Sequence, residues 1–233
     1  MTTLSIVATP IGNLEDITLR ALRILREADI VLCEDTRVTK KLLDHYEIST
    51  PTISYHHHSG LAKVEKILEA LRAGKKVALV TDAGTPGVAD PGGRLIAEVL
   101  NSEISSEVKI ESIPGASALT VLLAISGIAT DKFLFLGFPP HKKGRQTFVK
   151  EALKSEYPVV LYESKYRVIK LFQELAINGE REIIVGRELT KLFEEVCRGT
   201  TTEVLNLLKN DVNKQKGEFV VIVKPLEKRK IED

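Results

Sequence analysis

The residues of this chain best suited to chemistry sit in short runs of glycine, proline and polar side chains that directly follow apolar segments. The longest run is Thr81-Asp82-Ala83-Gly84-Thr85-Pro86-Gly87-Val88-Ala89-Asp90-Pro91-Gly92, after Lys76-Val77-Ala78-Leu79-Val80. Gly84 and Gly87 admit backbone angles that a Cβ forbids, Pro86 and Pro91 fix φ, and Asp82 and Thr85 leave polar groups pointing outward. Such a loop can grip a small molecule with backbone amides and carbonyls. Ala8-Thr9-Pro10-Ile11-Gly12-Asn13-Leu14 repeats the pattern after Leu4 to Val7, and Ile113-Pro114-Gly115-Ala116-Ser117-Ala118 repeats it after Val108 to Ser112. Ordinary βα turns draw on the same residues. Three turns that each mix Pro with Gly and carry few charges point instead to one cleft at the carboxyl ends of strands, where open α/β sheets bind ligands.

The elements that must position these turns alternate along the chain. Strands are expected at Leu4 to Ala8, Ile30 to Cys33, Thr52 to Tyr55, Val77 to Val80 and Val108 to Ser112. Helices are expected near Ile17 to Glu27, Thr39 to Tyr46, Ala62 to Ala73 and Gly93 to Leu100, the first with Leu19, Leu22, Ile24 and Leu25 at helical spacing. This is a parallel α/β pattern. A helix starting near Ala116 leads to the aromatic-rich strand Phe133 to Phe138, which opens a second half. There the pattern gives a helix near Gln146 to Leu153, a strand Val159 to Tyr162, a helix near Val168 to Leu175, and strands Glu182 to Val185 and Glu218 to Val223. The expected division is an N-terminal α/β domain over residues 1–114 and a C-terminal α/β domain over residues 115–233, with any cleft between them.

Composition narrows the function classes. The 233 residues are 43% hydrophobic and 28% charged, an ordinary soluble balance. No apolar run approaches the roughly 18 residues that span a bilayer, and the N-terminus has no signal-peptide pattern, so a cytoplasmic protein without membrane association is expected. Cys33 and Cys197 show no CxxC spacing and read as buried reduced thiols, and no metal site is indicated. With 33 Lys and Arg against 32 Asp and Glu, the net charge of +1 gives no whole-molecule field for nucleic acid. Any such contact falls to local clusters, Lys142-Lys143-Gly144-Arg145 and Lys165-Tyr166-Arg167, while the basic tail Lys228-Arg229-Lys230 reads as a solvated end. No G-x-G-x-x-G follows the first strand, and no GxxxxGK[ST] loop occurs, which argues against an NAD enzyme or a P-loop NTPase. Neutral turns suit a cofactor without a phosphate chain, a description that S-adenosylmethionine fits.

Six short motifs occur in one order: Thr9-Pro10-Ile11-Gly12-Asn13-Leu14, Glu34-Asp35-Thr36-Arg37, Asp82-Ala83-Gly84-Thr85-Pro86 with Asp90-Pro91-Gly92, Tyr162-Glu163-Ser164, Arg187-Glu188-Leu189-Thr190-Lys191 and Lys216-Gly217-Glu218. In these the chain resembles the small-subunit ribosomal RNA methyltransferase I family of the tetrapyrrole methylase superfamily, from Leu4 to about Val223. The resemblance implies two αβα sandwich domains, a homodimer, S-adenosylmethionine in the cleft between the domains, and methylation of the ribose 2′-oxygen of a decoding-centre cytidine in 16S rRNA of the small ribosomal subunit. It also implies that Pro10, Asp82, Gly84, Thr85, Pro86, Ala89 and Ser117 line the cofactor from the first domain, and Tyr162 and Leu189 from the second. Some members carry an additional C-terminal segment, and this chain ends soon after Val223.

Methyl transfer is an in-line displacement, so the ribose hydroxyl must be aligned and its proton taken up. Glu163 and Glu218 are candidate bases, with Glu34 and Asp35 beside them. Each of these acids can equally form a structural ion pair with Arg37, Arg167 or Arg187. Arg37, Arg187 and Lys191 can instead touch phosphate or a developing alkoxide, and Lys142, Lys143, Arg145 and Arg167 are the other RNA candidates. His56-His57-His58 reads as an exposed polar loop, and Ser59 and the Lys165-Tyr166 pair depart from the family's usual residues. A tetrapyrrole C-methyltransferase and a non-catalytic S-adenosylmethionine- or ribosome-binding module are the rival readings.

Overall fold

A computed structural model of the chain describes residues 2–56, 59–90 and 92–226; His57, His58, Pro91 and the tail Lys228-Arg229-Lys230 lie outside them. The chain divides between Ser117 and Ala118 into two compact units. Each has its own five-stranded sheet.

The first unit runs β1 (Thr2–Val7), α1 (Leu19–Glu27), β2 (Ile30–Cys33), α2 (Thr36–His45), β3 (Thr52–Ser54), α3 (Leu61–Arg72), β4 (Val77–Leu79), α4 (Gly92–Leu100) and β5 (Val108–Ile113). Its strands lie in the order β3-β2-β4-β1-β5, all parallel. Side chains alternate across the sheet, so each strand feeds two cores. On one face Leu4, Ile6, Leu32 and Leu79 pack on Val64, Ile67 and Leu71 of α3 and Leu95 and Val99 of α4. On the other, Val7, Val31, Cys33 and Ala78 pack on Ala21, Leu22 and Leu25 of α1 and Leu43 of α2. Capping sets the helix starts: the Thr18 hydroxyl accepts from Ala21 N at 3.0 Å, and the Asp35 carboxylate accepts from Arg37 N at 2.8 Å.

This topology decides where a ligand can sit. From β1 the chain moves through α1 and α2 toward β3, then returns through α3 and α4 toward β5. Right-handed crossovers in opposite directions place the two helix pairs on opposite faces, as the two cores require. Neighbouring strands β1 and β4 therefore send their chains opposite ways. Their carboxyl ends bound the crevice in which open sheets take ligands.

The second unit runs α5 (Ala118–Ile125), β6 (Leu134–Gly137), α6 (Arg145–Lys154), β7 (Val159–Ser164), α7 (Val168–Asn178), β8 (Glu182–Arg187), β9 (Glu195–Thr200), α8 (Thr201–Asn210) and β10 (Glu218–Val223). Its sheet, β6-β7-β10-β8-β9, is parallel between β6 and β7 and antiparallel elsewhere. Leu161, Val185, Phe219 and Val221 face a core closed by α6, α7 and α8. Tyr162, one residue on from Leu161, faces the other side, where its hydroxyl accepts from Leu119 N of α5 at 3.2 Å. Helices thus cover both faces, giving the αβα layering that the resemblance implied. β9 and α8 are additions to the elements read from the sequence.

Candidate functional site

The three turns follow β4, β1 and β5, which are adjacent strands, so parallel pairing brings them to one edge of the first sheet. Backbone bonds join them. Thr9 N donates to Gly84 O at 2.9 Å and Gly84 N to Thr9 O at 3.1 Å, a two-way bridge across the β1–β4 crevice. The Thr9 hydroxyl adds a bond to Thr81 O at 3.2 Å, and the Thr85 hydroxyl reaches Ala116 O in the turn after β5 at 3.1 Å. At Gly115 a Cβ would stand 3.0 Å from the Ala8 Cβ, so the β1 and β5 turns are as close as a glycine permits. Gly84 holds φ +86, in the left-handed region. Within the loop Asp90 Oδ1 accepts from Gly87 N at 2.7 Å and Gly92 N at 2.6 Å. Pro10 and Pro86 are buried, Thr85 and Ser117 are half-buried, and Asp82 and Ala89 are exposed.

Acidic groups border the crevice on the β2 side. Glu34 accepts from the Thr81 hydroxyl. Asp82 Oδ1 accepts from Asp35 N at 3.0 Å, and partial burial pushes the Asp82 carboxyl above its usual range. The Arg37 guanidinium closes on Asp35, with Nη2 at 2.6 Å from Oδ2 and Nε at 3.0 Å from Oδ1. That hydrogen bonding holds the Asp35 carboxyl at about 2, which leaves it a weak base. A neutral, glycine-bearing floor beside carboxylates fits a cofactor with a sulfonium cation and no phosphates, as S-adenosylmethionine is.

In the second unit, Tyr162 on β7 stands edge-on to Phe135 and Phe138, with ring centroids 5.0 and 5.5 Å away. The geometry does not suit Glu163 to the part of proton acceptor. Its side chain is 0% exposed. Oε1 accepts from Ser164 N at 2.7 Å and lies 3.0 Å from Arg167 Nε, while Oε2 faces Arg145 Nη1 at 3.5 Å. Arg145, expected among the RNA contacts, is also corrected. It is 3% exposed and binds Glu174 Oε2 through Nε at 2.6 Å, because α6 begins at this residue and turns it inward with Val149 and Ala152. Arg167 is spent on Glu163 and on Pro139 O, at 3.0 Å. Lys142 and Lys143 are exposed on the loop before α6.

The segment after β8 is held by charge. Lys191 Nζ lies 2.9 Å from both Glu188 Oε1 and Glu218 Oε2. Burial pulls the Lys191 pKa down, but its bonds to Glu188 and Glu218 outweigh this and raise it. Glu218 is therefore a paired surface acid, and Lys191 an ion-paired residue before it is an RNA contact. Arg187 Nη1 donates to Lys216 O at 3.1 Å, and Nη2 faces Glu195 at 3.4 Å. The Leu189 side chain is buried between Glu188 and Thr190, whose φ values are +51 and +65, so a ligand at this segment would meet backbone. Glu174, Ser164 and the Pro139 and Pro140 carbonyls complete these clusters without a sequence signal of their own. Among the described residues no group of three or more His, Cys, Asp or Glu is arranged to hold a metal ion, and no helix is long and apolar enough to cross a membrane.

Comparison with known proteins agrees with this geometry. The family model of tetrapyrrole (corrin/porphyrin) methylases matches residues 3–205. The chain is 42% identical over 221 residues to the ribosomal RNA small subunit methyltransferase I of Thermotoga maritima, covering 94% of this chain and 97% of that one. It is 45% identical over 227 residues to the protein of the same name from Mesorhizobium japonicum, covering 96% and 76%. Among solved structures, diphthine synthase aligns with a TM-score of 0.74 at 18% identity, over 96% of this chain and 90% of that one. The methyltransferase CobJ aligns with a TM-score of 0.68 at 17% identity, over 99% and 96%. The structural likenesses speak for the fold alone. The near-complete matches at above 40% identity go further: the chain belongs to the ribosomal RNA small subunit methyltransferase I family of the tetrapyrrole methylases.

Proposed function

We propose that this protein transfers a methyl group from S-adenosylmethionine to the ribose 2′-oxygen of a decoding-centre cytidine in 16S rRNA. The observation that carries this reading is family membership over nearly the whole chain, at 42% identity over 221 residues. The bridged turns of the first unit support it. Pro10, Asp82, Gly84, Thr85, Pro86, Ala89 and Ser117 are the residues proposed to hold the cofactor there; Tyr162 and Leu189 are proposed cofactor contacts as well. When bound, the cofactor supplies an electrophilic methyl on a cationic sulfur.

The chain's own residues must orient the hydroxyl and accept its proton. Glu34 is the proposed acceptor. Its partner is the neutral Thr81 hydroxyl, whereas Asp35, Glu163 and Glu218 face cations. Arg37, exposed and paired with Asp35, is proposed to meet a substrate phosphate. Lys142 and Lys143 are proposed to add phosphate contacts, so that few charges and much shape recognition favour an assembled small subunit over free RNA. The working form is proposed to be a cytoplasmic homodimer.

The test is to incubate the protein with methyl-labelled cofactor and either unmodified small subunits or a porphyrinogen. A 2′-O-methyl group removes the nucleophile of alkaline hydrolysis, so the label should emerge in an alkali-resistant dinucleotide. Label on a base, or on the porphyrinogen, would refute the reading. Light scattering tests the dimer.

A further inference from the structure

Glu163, whose pairing does not suit it to the part of base, sits at the centre of a buried cluster with a different consequence. The cluster holds two cations and two anions. Arg145 Nε binds Glu174 Oε2 at 2.6 Å and its Nη1 faces Glu163 Oε2 at 3.5 Å, while Arg167 Nε lies 3.0 Å from Glu163 Oε1. Each arginine also turns one N–H to a backbone carbonyl: Arg145 Nη1 to Pro140 O at 3.2 Å, and Arg167 Nη1 to Pro139 O at 3.0 Å. Pro139 and Pro140 have no N–H with which to join a sheet, and their φ angles are fixed. Holding two consecutive carbonyls of so stiff a pair sets the course of the chain beyond it. That chain is His141-Lys142-Lys143-Gly144, exposed throughout and ending where α6 starts. Arg145 Nη2 is buried without a partner, so the cluster lacks acceptors. Neutralising Glu163 would take the carboxylate partner from Arg167 and one of two from Arg145.

We propose that Glu163 is a positioning residue for the substrate: by fixing Arg145 and Arg167 against the Pro140 and Pro139 carbonyls, it holds the loop that presents Lys142 and Lys143 to RNA phosphates. The proposal rests on the RNA-methylating function above and adds to it a route by which a buried acid governs substrate affinity.

The experiment measures binding to unmodified small subunits across a salt series for the full chain and four variants: Glu163→Gln, Lys142→Ala with Lys143→Ala, all three changes together, and Pro139→Gly with Pro140→Gly. Thermal melting and the single-turnover methylation rate at saturating subunit accompany it. Removing two phosphate contacts should lower the salt slope by about 2. Glu163→Gln should weaken binding about tenfold and lower the slope similarly, yet cost less than about twofold in the background lacking both lysines, since the two changes act through one loop. The diproline variant leaves every ionic partner in place and should reproduce the affinity loss, which keeps the test decisive if Glu163→Gln fails to fold. Additive losses, or a diproline variant that binds like the parent, would overturn the proposal. So would unchanged affinity together with a tenfold slower rate at saturation, because Glu163 would then act in the chemistry. A parent protein that does not methylate subunits at all would instead refute the underlying function, before any variant is compared.

Discussion

Replacing Gly84 by alanine separates a ligand-holding loop from a merely structural one. Gly84 has φ +86, and a Cβ built there meets only Ile11 Cγ2 at 3.4 Å and Ala116 O at 3.7 Å, which are ordinary contacts. The substitution therefore brings no steric clash, and its cost is torsional, about 1–2 kcal/mol for a side chain in the left-handed region. That cost must appear somewhere. If the loop keeps its shape, the folded state bears it, and a chain of this size should melt about 2–8 °C lower. If the loop relaxes, stability returns, but the two bonds joining Gly84 to Thr9 at 2.9 and 3.1 Å loosen. Cofactor affinity then falls by up to the same free energy, about 5- to 30-fold. Differential scanning calorimetry and isothermal titration with S-adenosylmethionine on one sample read both quantities. Gly84→Val adds β-branching in a region where such residues are outliers, and should lose measurable binding. If Gly84→Ala melts lower by the full amount and both variants bind the cofactor like the parent, the loop after β4 is scaffold and the cofactor site lies elsewhere.

The remaining expectations concern charge. Glu34→Gln should slow single-turnover methylation by at least about tenfold, or 1.4 kcal/mol of barrier, with cofactor affinity kept; an unaltered rate removes Glu34 as the proton acceptor. Arg145→Ala should destabilise the second unit by about 3–5 kcal/mol, because it strips the largely buried Glu174 of its cation and leaves Glu163 with Arg167 alone, whereas Lys142→Ala should stay within about 0.5 kcal/mol of the parent in denaturant unfolding. Asp35 should titrate at about 2 by NMR and move up toward its ordinary value in Arg37→Ala. A carboxyl lowered on folding stabilises above its unfolded pKa and loses that contribution as pH falls; this pair is solvent-exposed, so the NMR shift should be clear while acid unfolding barely changes.

Much of the first unit was legible because its strands are buried on both faces and its turns are chemically marked. Val77-Ala78-Leu79-Val80 is a continuous apolar run, as a central parallel strand requires, and Gly and Pro announce the loop behind it. The adjacency of β4, β1 and β5 was not legible in detail, since strand order depends on long-range pairing. β9 escaped notice because Glu195-Val196-Cys197-Arg198-Gly199-Thr200 is a polar edge strand with no alternation, partly buried along most of its length. α8 did carry a signal: Thr200 and Glu203 form a capping box. Arg145 was misread by its neighbours. Lys142 and Lys143 make it look like part of a surface cluster, yet Arg145, Val149 and Ala152 recur at the 4- and 3-residue steps of one buried helical stripe, and that spacing is in the sequence.

Backbone strain adds what composition conceals. Among the described residues, four that are not glycine have positive φ: Glu47, Ala89, Glu188 and Thr190. Glu47 follows the end of α2, where a left-handed residue commonly stops a helix. The other three lie in the loop after β4 and the segment after β8, both within motifs that mark the family. Conformations of this kind cost about 1–3 kcal/mol each and persist only where surrounding contacts over-determine them. Those contacts are visible: Asp90 ties Gly87 and Gly92 across Ala89, and Glu188 accepts from Glu218 N and Lys191 at 2.9 Å. A chain selected only for stability would place glycine at these positions. Retaining Ala89, Glu188 and Thr190 there, with bonds that hold the chain about them, keeps the backbone of each loop rigid, which is what presenting backbone groups to a ligand requires.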